Sequence, residues 1–230
     1  MNAQIVMPFS DPKGIMSSHL LRIQPDLQHL FEKTILSIPP ETQKHQPELV
    51  ASMQNDPFFD LLILPKKLHI GAQFKVLYKY AAEVTSKDVP LHLCYPDRVA
   101  FALQSEYRAQ FMKDIKRLDL TDTPLIFQRS TQAWETHPQN YVILEGLVTS
   151  LGEILFGRKL DYAWCHLVIK AQSLAKIIKK VTCPSIAMVA ELILQLQDQI
   201  NTEDVDWLAW EDPFIFGRDA TQLKCERENS

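Results

Sequence analysis

Short apolar, β-branched runs recur along this chain, and each is followed by a polar turn and then by apolar residues at three- and four-residue spacing. The runs are residues 4–9 (QIVMPF), 34–38 (TILSI), 91–94 (LHLC), 124–128 (PLIFQ) and 160–169 (LDYAWCHLVI). Run length and composition suit strands, and the spacing that follows suits amphipathic helices. A strand, a helix and a second strand within about thirty residues form a right-handed crossover, which makes the strands parallel. The repeated alternation therefore predicts an α/β fold of three layers, Rossmann-like, with a mostly parallel sheet flanked by helices. No linker divides the chain, so residues 1–230 are expected to form one α/β domain with a helical C-terminal extension from about 171.

Local signals place the helices. Ser17 and Ser18 can cap a helix whose apolar positions are Leu20, Leu21, Ile23, Leu27, Leu30 and Phe31, with Pro25 predicting either a kink or a later start. Residues 47–53 suit a short helix, and from Gly71 the positions Phe74, Leu77, Tyr78, Ala81 and Ala82 share a face. One long helix is expected from Pro96, burying Val99, Ala102, Leu103, Tyr107, Phe111 and Ile115. Another spans 142–156 and stops at Gly157; two more cover 172–180 and 186–200. Residues 57–64 (PFFDLLIL) fit a strand or a helix equally, because so short an apolar run has no decisive period.

Composition narrows the function. The chain is 46% hydrophobic and 23% charged, with a net charge of -4 and a pI near 6.0, which argues against nucleic acid as the main partner. The lysines of 170–180 alternate with apolar residues and read as the solvated side of a helix. Cys94, Cys165, Cys183 and Cys225 are scattered, with no pair or histidine at metal-ligand spacing. No apolar run reaches the ~18 to 20 residues of a membrane span, and the start lacks a signal-peptide pattern. The expected setting is cytoplasmic and reducing.

Ligands in open α/β sheets are held beyond the carboxyl ends of the strands. The stretch 89–115 puts Tyr95-Pro96-Asp97-Arg98 at such a place, so Asp97 is either a helix-start residue or a ligand, and Arg98 either a surface partner of Glu106 or an anion contact. Arg129, ending the 124–128 run beside Ser130, is a candidate phosphate or sugar contact. His137 can be a turn residue or a general base, and His166 a core histidine or a functional one. Cys165 lacks the assured base that a nucleophile needs. Trp207 and Trp210 can stack a sugar ring or pack one helical side.

The segment from Arg129 through a long amphipathic helix to Leu155-Phe156-Gly157 and Asp161 resembles the second half of family-2 inverting glycosyltransferases of the GT-A fold. The strand, the loop with Asp11, the helix and a second strand ending in Ser37 are similar to the first half. The resemblance implies a nucleotide-sugar-dependent glycosyltransferase, or a catalytically degenerate relative, acting on a small-molecule or glycan substrate. It implies Asp11 and Ser37 at the nucleotide, Lys67 with Gly71 in a loop, and Asp97 and Arg98 in the place of the metal motif. It further implies Arg129 and Asp161 toward the acceptor, and Glu211 with Asp212 as the acidic pair supplying the base. Mg²⁺ or Mn²⁺ would be held through Asp97, where the family usually offers a second carboxylate, and Pro39-Pro40 stand where it has an Asp. The alternative is a non-enzymatic α/β scaffold that forms a homo-oligomer through the helix at 186–200 and the aromatic tail. A phosphate-binding hydrolase lacks its Gly-rich loop.

Overall fold

The structure, a computed structural model, describes residues 3–118, 122–163, 166–196, 198–219 and 221–222. Its elements in chain order begin β1 (Gln4–Pro8), α1 (Ile15–Leu30), β2 (Lys33–Ile38), α2 (Pro40–His45), α3 (Pro47–Asn55), β3 (Phe59–Ile63) and α4 (Ile70–Val84). They continue β4 (Pro90–Leu93), α5 (Pro96–Gln104), α6 (Arg108–Ile115), β5 (Leu125–Arg129), α7 (Thr131–Thr136) and α8 (Gln139–Phe156). The rest is β6 (Leu167–Lys170), α9 (Ala171–Ile177), α10 (Met188–Leu196), β7 (Asn201–Val205), a 3-10 turn at Asp206–Leu208 and α11 (Asp212–Phe216).

All seven strands join one sheet in the order β3-β2-β1-β4-β6-β5-β7. Within it β6 runs antiparallel to β4 and β5, and every other pairing is parallel. The expected mostly parallel, helix-flanked α/β architecture is the one observed. Residues alternate between the two covered faces: Ile5 and Met7 join a core with α1, α5 and α6, while Val6 joins a core with α4, α9 and α10. From β1 the chain steps outward to β2 and β3, then returns to lay β4 on the other side of β1. Crossovers leave β1 and β4 in opposite directions there, opening a crevice at their carboxyl ends.

Several sequence expectations are corrected. Helix α1 starts at Ile15 and runs through Pro25, because Leu20, Ile23, Leu27 and Leu30 stay on one buried side and offset the ~3 kcal/mol a helical proline costs. Its cap is not Ser17 or Ser18: Gly14 takes the left-handed conformation at φ 75°, and Asp11 Oδ2 accepts both the Ser17 N–H and the Ser17 hydroxyl at 2.6 Å. The long helix from Pro96 is two helices, since Ser105 is extended and its carbonyl accepts the Arg108 N–H at 3.2 Å. The ambiguous run 57–64 is a strand, paired along β2. Of 160–169 only the last residues enter the sheet; Tyr162 instead donates its hydroxyl to the Arg158 carbonyl at 2.9 Å. Trp164 and Cys165 lie outside the described residues.

The segment after 171 is not wholly helical, because β7 returns to pair with β5. Four of its five residues, Asn201-Thr202-Glu203-Asp204, are polar, and an edge strand needs no apolar alternation. Helix α10 buries Met188, Val189, Leu192, Ile193 and Leu196, and Trp207 is fully buried with its Nε1–H donating to Asp114 Oδ2 at 2.9 Å. Of the surface expected to form an oligomer under the scaffold alternative, the apolar side of α10 and Trp207 are therefore interior, while Ile186 and Phe214 remain exposed. We expect Trp207→Ala to cost about 3–5 kcal/mol and Trp207→Phe, which keeps the ring but strands the Asp114 acceptor, about 1–3 kcal/mol. Urea denaturation followed by circular dichroism measures both, and a Trp207→Phe protein as stable as the wild type would show that the hydrogen bond contributes nothing.

Candidate functional site

Two hollows meet at the β1–β4 crevice. The first, about 640 Å³, is lined by the loop after β1 (Ser10, Asp11, Lys13), by Ile70 and Gln73 of α4, by Tyr95 and Asp97 after β4, and by Phe216 and Arg218. The second, about 390 Å³, shares Asp97, Phe216 and Arg218 and adds Arg98, His137, Tyr141, Glu145, Trp210, Glu211 and Asp212. Asp97 sits in the first turn of α5, with Pro96 ahead of it, so the strand end and the helix start fix it between the hollows. The chain tail completes the site. Gly217, left-handed at φ 62°, ends α11 and turns Arg218 back, where it stacks on Phe216 at 4.6 Å and pairs with Asp212 at 3.6 Å.

The electrostatics of the second hollow are set by burial. Arg98 forms an ion pair with Glu211 and not with Glu106, donates to the Ala209 carbonyl at 3.2 Å and lies 3.4 Å from His137 Nε2. Burial pushes Glu211 up to about 8; the Arg98 charge opposes this, and Asp97 and Asp212 reinforce it. Burial also raises Asp97, against the pull of Arg98, of the Arg98 N–H that its Oδ1 accepts at 2.9 Å, and of Arg218. His137 is pushed down to about 3 by burial and then by Arg98. Its Nδ1 lies 2.9 Å from the Ala133 carbonyl, which assigns the proton to Nδ1 and leaves Nε2 to accept from Arg98. His137 is thus a neutral positioning group, whereas Glu211 is a carboxyl poised to exchange a proton near neutral pH.

The remaining candidates fall elsewhere. Ser37 is fully buried and accepts from Gln73 Nε2 at 2.9 Å, so it stands one side chain behind the first hollow. Lys67 is exposed and pairs with Glu41 at 3.7 Å, lining neither hollow. Arg129 and Asp161 line a third hollow of about 420 Å³ between α8 and the body. They are bound to each other: Arg129 Nε and Nη2 donate to the two Asp161 oxygens, each at 2.9 Å, Nη1 donates to Glu145, and the guanidinium lies 3.6 Å from the Trp134 ring centre. A fork so occupied is a clamp that seats Asp161 and α8. Asp161 is thereby taken out of the acceptor hollow. Lys13, Gln73, Tyr141, Phe216 and Arg218 had no motif; Gly217 just past a short apolar run was the one signal for the turn that delivers Arg218.

One group of three side chains could share an ion among the described residues: His92, Cys94 and His166, all buried, with one donor atom each within 4.8 Å of the others. His92 Nε2 and His166 Nδ1 are 2.9 Å apart. Burial holds His92 down at about 3 and His166 well below its ordinary value, so the two form a neutral pair. Two nitrogens and a sulfur suit a borderline-soft ion, not the oxygen-seeking Mg²⁺ or Mn²⁺ expected at Asp97. Asp97 offers a single carboxylate, the least that a diphosphate-bound hard ion requires.

The sheet order, the one antiparallel strand inside it and the crevice at β1 and β4 define a nucleotide-diphospho-sugar transferase fold of the GT-A type, as the layout resemblance implied. Glucosyl-3-phosphoglycerate synthase from Mycobacterium tuberculosis, solved with Mn²⁺, UDP-glucose and phosphoglyceric acid, superimposes with a TM-score of 0.51 at 12% identity, covering 87% of this chain and 68% of that one. Its UDP complex gives 0.50 at 13% identity, over 87% and 69%. The 4-diphosphocytidyl-2C-methyl-D-erythritol synthase of Anaerococcus prevotii gives 0.51 at 8% identity, over 98% and 96%. No protein-family model matches the sequence, and no curated protein is similar to it at a significant level. No described helix is long and apolar enough to cross a membrane.

Glu211 gives the site a pH signature. Its folded value lies above the ordinary 4.5, so the folded protein binds that proton more tightly than the unfolded chain. Its contribution to stability is full below 4.5 and is lost as pH rises through about 8. Replacing Glu211 with Gln should therefore leave the melting temperature little changed in acid and raise it relative to the wild type as pH climbs through that window. Parallel melting curves would refute the burial argument.

Proposed function

We propose that this chain is a nucleotide-sugar-dependent glycosyltransferase. The observation that carries the reading is the meeting of the two hollows on Asp97 at the β1–β4 switch point, with guanidinium groups on either side of it. The larger hollow takes the donor nucleotide, with Lys13 and Arg218 toward its diphosphate, where their charge disperses the negative charge that grows on the leaving group. The smaller takes the acceptor, a small molecule or glycan, against Trp210 and Tyr141. An acceptor hydroxyl attacks the anomeric carbon, the bond from that carbon to the diphosphate oxygen breaks, and the nucleoside diphosphate leaves with the bonding pair. The hydroxyl proton passes to Glu211, whose raised pKa matches a base working near neutrality. Arg98 holds that carboxyl in place from the other side.

A divalent ion such as Mg²⁺ or Mn²⁺ would be held by Asp97 with oxygens of the diphosphate, and would supply further charge neutralisation on the leaving group. Thermal shift tests the reading. UDP, GDP and their sugars should raise the melting temperature, as binding to the folded state requires. Asp97→Asn should abolish the additional rise given by Mn²⁺ while sparing the metal-free part. Glu211→Gln should keep the shift and slow nucleoside-diphosphate release from the sugar donor by about 10²–10⁴-fold. A flat response to every nucleotide diphosphate and sugar, with and without Mn²⁺, would remove the proposal. A response confined to CTP would turn it toward nucleotidyl transfer, the alternative that shares this fold.

A further inference from the structure

Helix α8 is turned inside out. Its solvent side carries Ile143, Leu144, Leu147, Leu151, Ile154 and Leu155, exposed from 48% at Leu151 to 78% at Ile154, while Glu145, Gly146, Thr149 and Gly152 face the body. Of its eighteen residues Gly152 is the only buried one, and it has no room for a side chain, because a Cβ there would lie 2.2 Å from the Tyr162 ring. At ~100° per residue the six aliphatic side chains cover an arc of roughly 120°. With about 100 Å² of apolar surface per side chain the patch exposes on the order of 500 Å², the size at which an apolar patch marks an interaction site.

We propose that a second copy of this chain covers the patch, α8 pairing antiparallel with its twin about a twofold axis. The order of residues carries this choice. Counted outward from Thr149, the nearest pair, Val148 and Ser150, differs, and beyond it Leu147 mirrors Leu151, Gly146 mirrors Gly152, Glu145 mirrors Glu153, Leu144 mirrors Ile154, and Ile143 mirrors Leu155. A helix with such a mirrored order has a local twofold axis through its centre, which leaves the outer side midway between Leu147 and Leu151. Antiparallel docking about a second twofold axis, lying outside the helix and crossing its outer side at the height of Thr149, puts Leu147 of one copy against Leu151 of the other, and each of the other four aliphatics named above against an aliphatic, as a self-complementary interface demands. Burying the patch from both copies removes on the order of 1,000 Å², the level a specific interface reaches.

Charge argues against a lipid surface as the occupant. The eighteen residues of α8 contain Glu145 and Glu153 and no Lys or Arg, whereas helices that lie on membranes carry basic residues on their polar side. The inner side of the same helix supplies Glu145, which receives Arg129 and lines the smaller hollow, so pairing would stiffen one wall of the site. The inference is independent of the transferase reading.

Sedimentation velocity of the full chain at micromolar concentrations should give a dimer, and Leu147→Glu or Leu151→Glu, each placing carboxylates at the axis, should give a monomer. Far-ultraviolet circular dichroism and the melting temperature of the diluted proteins should be unchanged, since these side chains are exposed in one copy. Mixing Leu147→Cys with Leu151→Cys chains under mild oxidation should yield a covalent heterodimer in excess of either homodimer, which a parallel pairing would not. A wild-type monomer across the concentration range overturns the proposal, as does a dimer that survives both glutamate substitutions. Capture of the wild type by phosphatidylcholine vesicles, lost in the same variants, overturns it in favour of lipid.

Discussion

The contact between Arg98 and Glu211 joins parts of the chain more than a hundred residues apart. Arg98 leaves the carboxyl end of β4; Glu211 opens the turn into α11. The pair ties the tail that carries Phe216 and Arg218 to the strand end beside Asp97. The pair is costly to bury, since each charge gives up water for one strong partner and a few weaker ones. Its expense is visible in the raised value of Glu211. A protein that keeps such a pair at the mouth of a crevice keeps a carboxyl there that holds its proton up to about neutral pH.

A second buried guanidinium serves a different purpose. Arg129 is engaged by Asp161, Glu145 and the Trp134 ring. What it does is geometric: it binds the end of β5 to the loop after α8 and to α8 itself. The aspartate that resembled an acceptor-side residue is a bracket in this chain.

The strands facing two apolar layers were legible, because burial on both sides leaves continuous runs such as 4–9 and 34–38. Strand β7 was not, since an edge strand with one neighbour tolerates Asn201-Thr202-Glu203-Asp204. The break at Ser105 was hidden by apolar spacing that continues unchanged from Phe101 to Phe111, while the hydroxyl and carbonyl of one serine decide the matter locally. At the site, the place of Asp97 and Arg98 was legible because an apolar run followed by proline and an acid marks a strand end and a helix start. Arg218 could not, because its place depends on a tail that folds back across the whole sheet. Ser37 and Lys67 were assigned by order along the chain, and order does not say whether a side chain points into a crevice, behind it or into water.

Strand β7 has a last consequence. It is the last strand at one margin of the sheet, with no further strand beyond it among the described residues. Glu203 and Asp204 stand there on opposite faces, the first tied to Arg117 and the second to Gln128. A stray segment adding itself to that margin would have to crowd carboxylates on whichever face it presented and break one of those ties. The sheet is fenced where it could otherwise keep growing, which keeps fibre-like stacking of neighbouring molecules off this border.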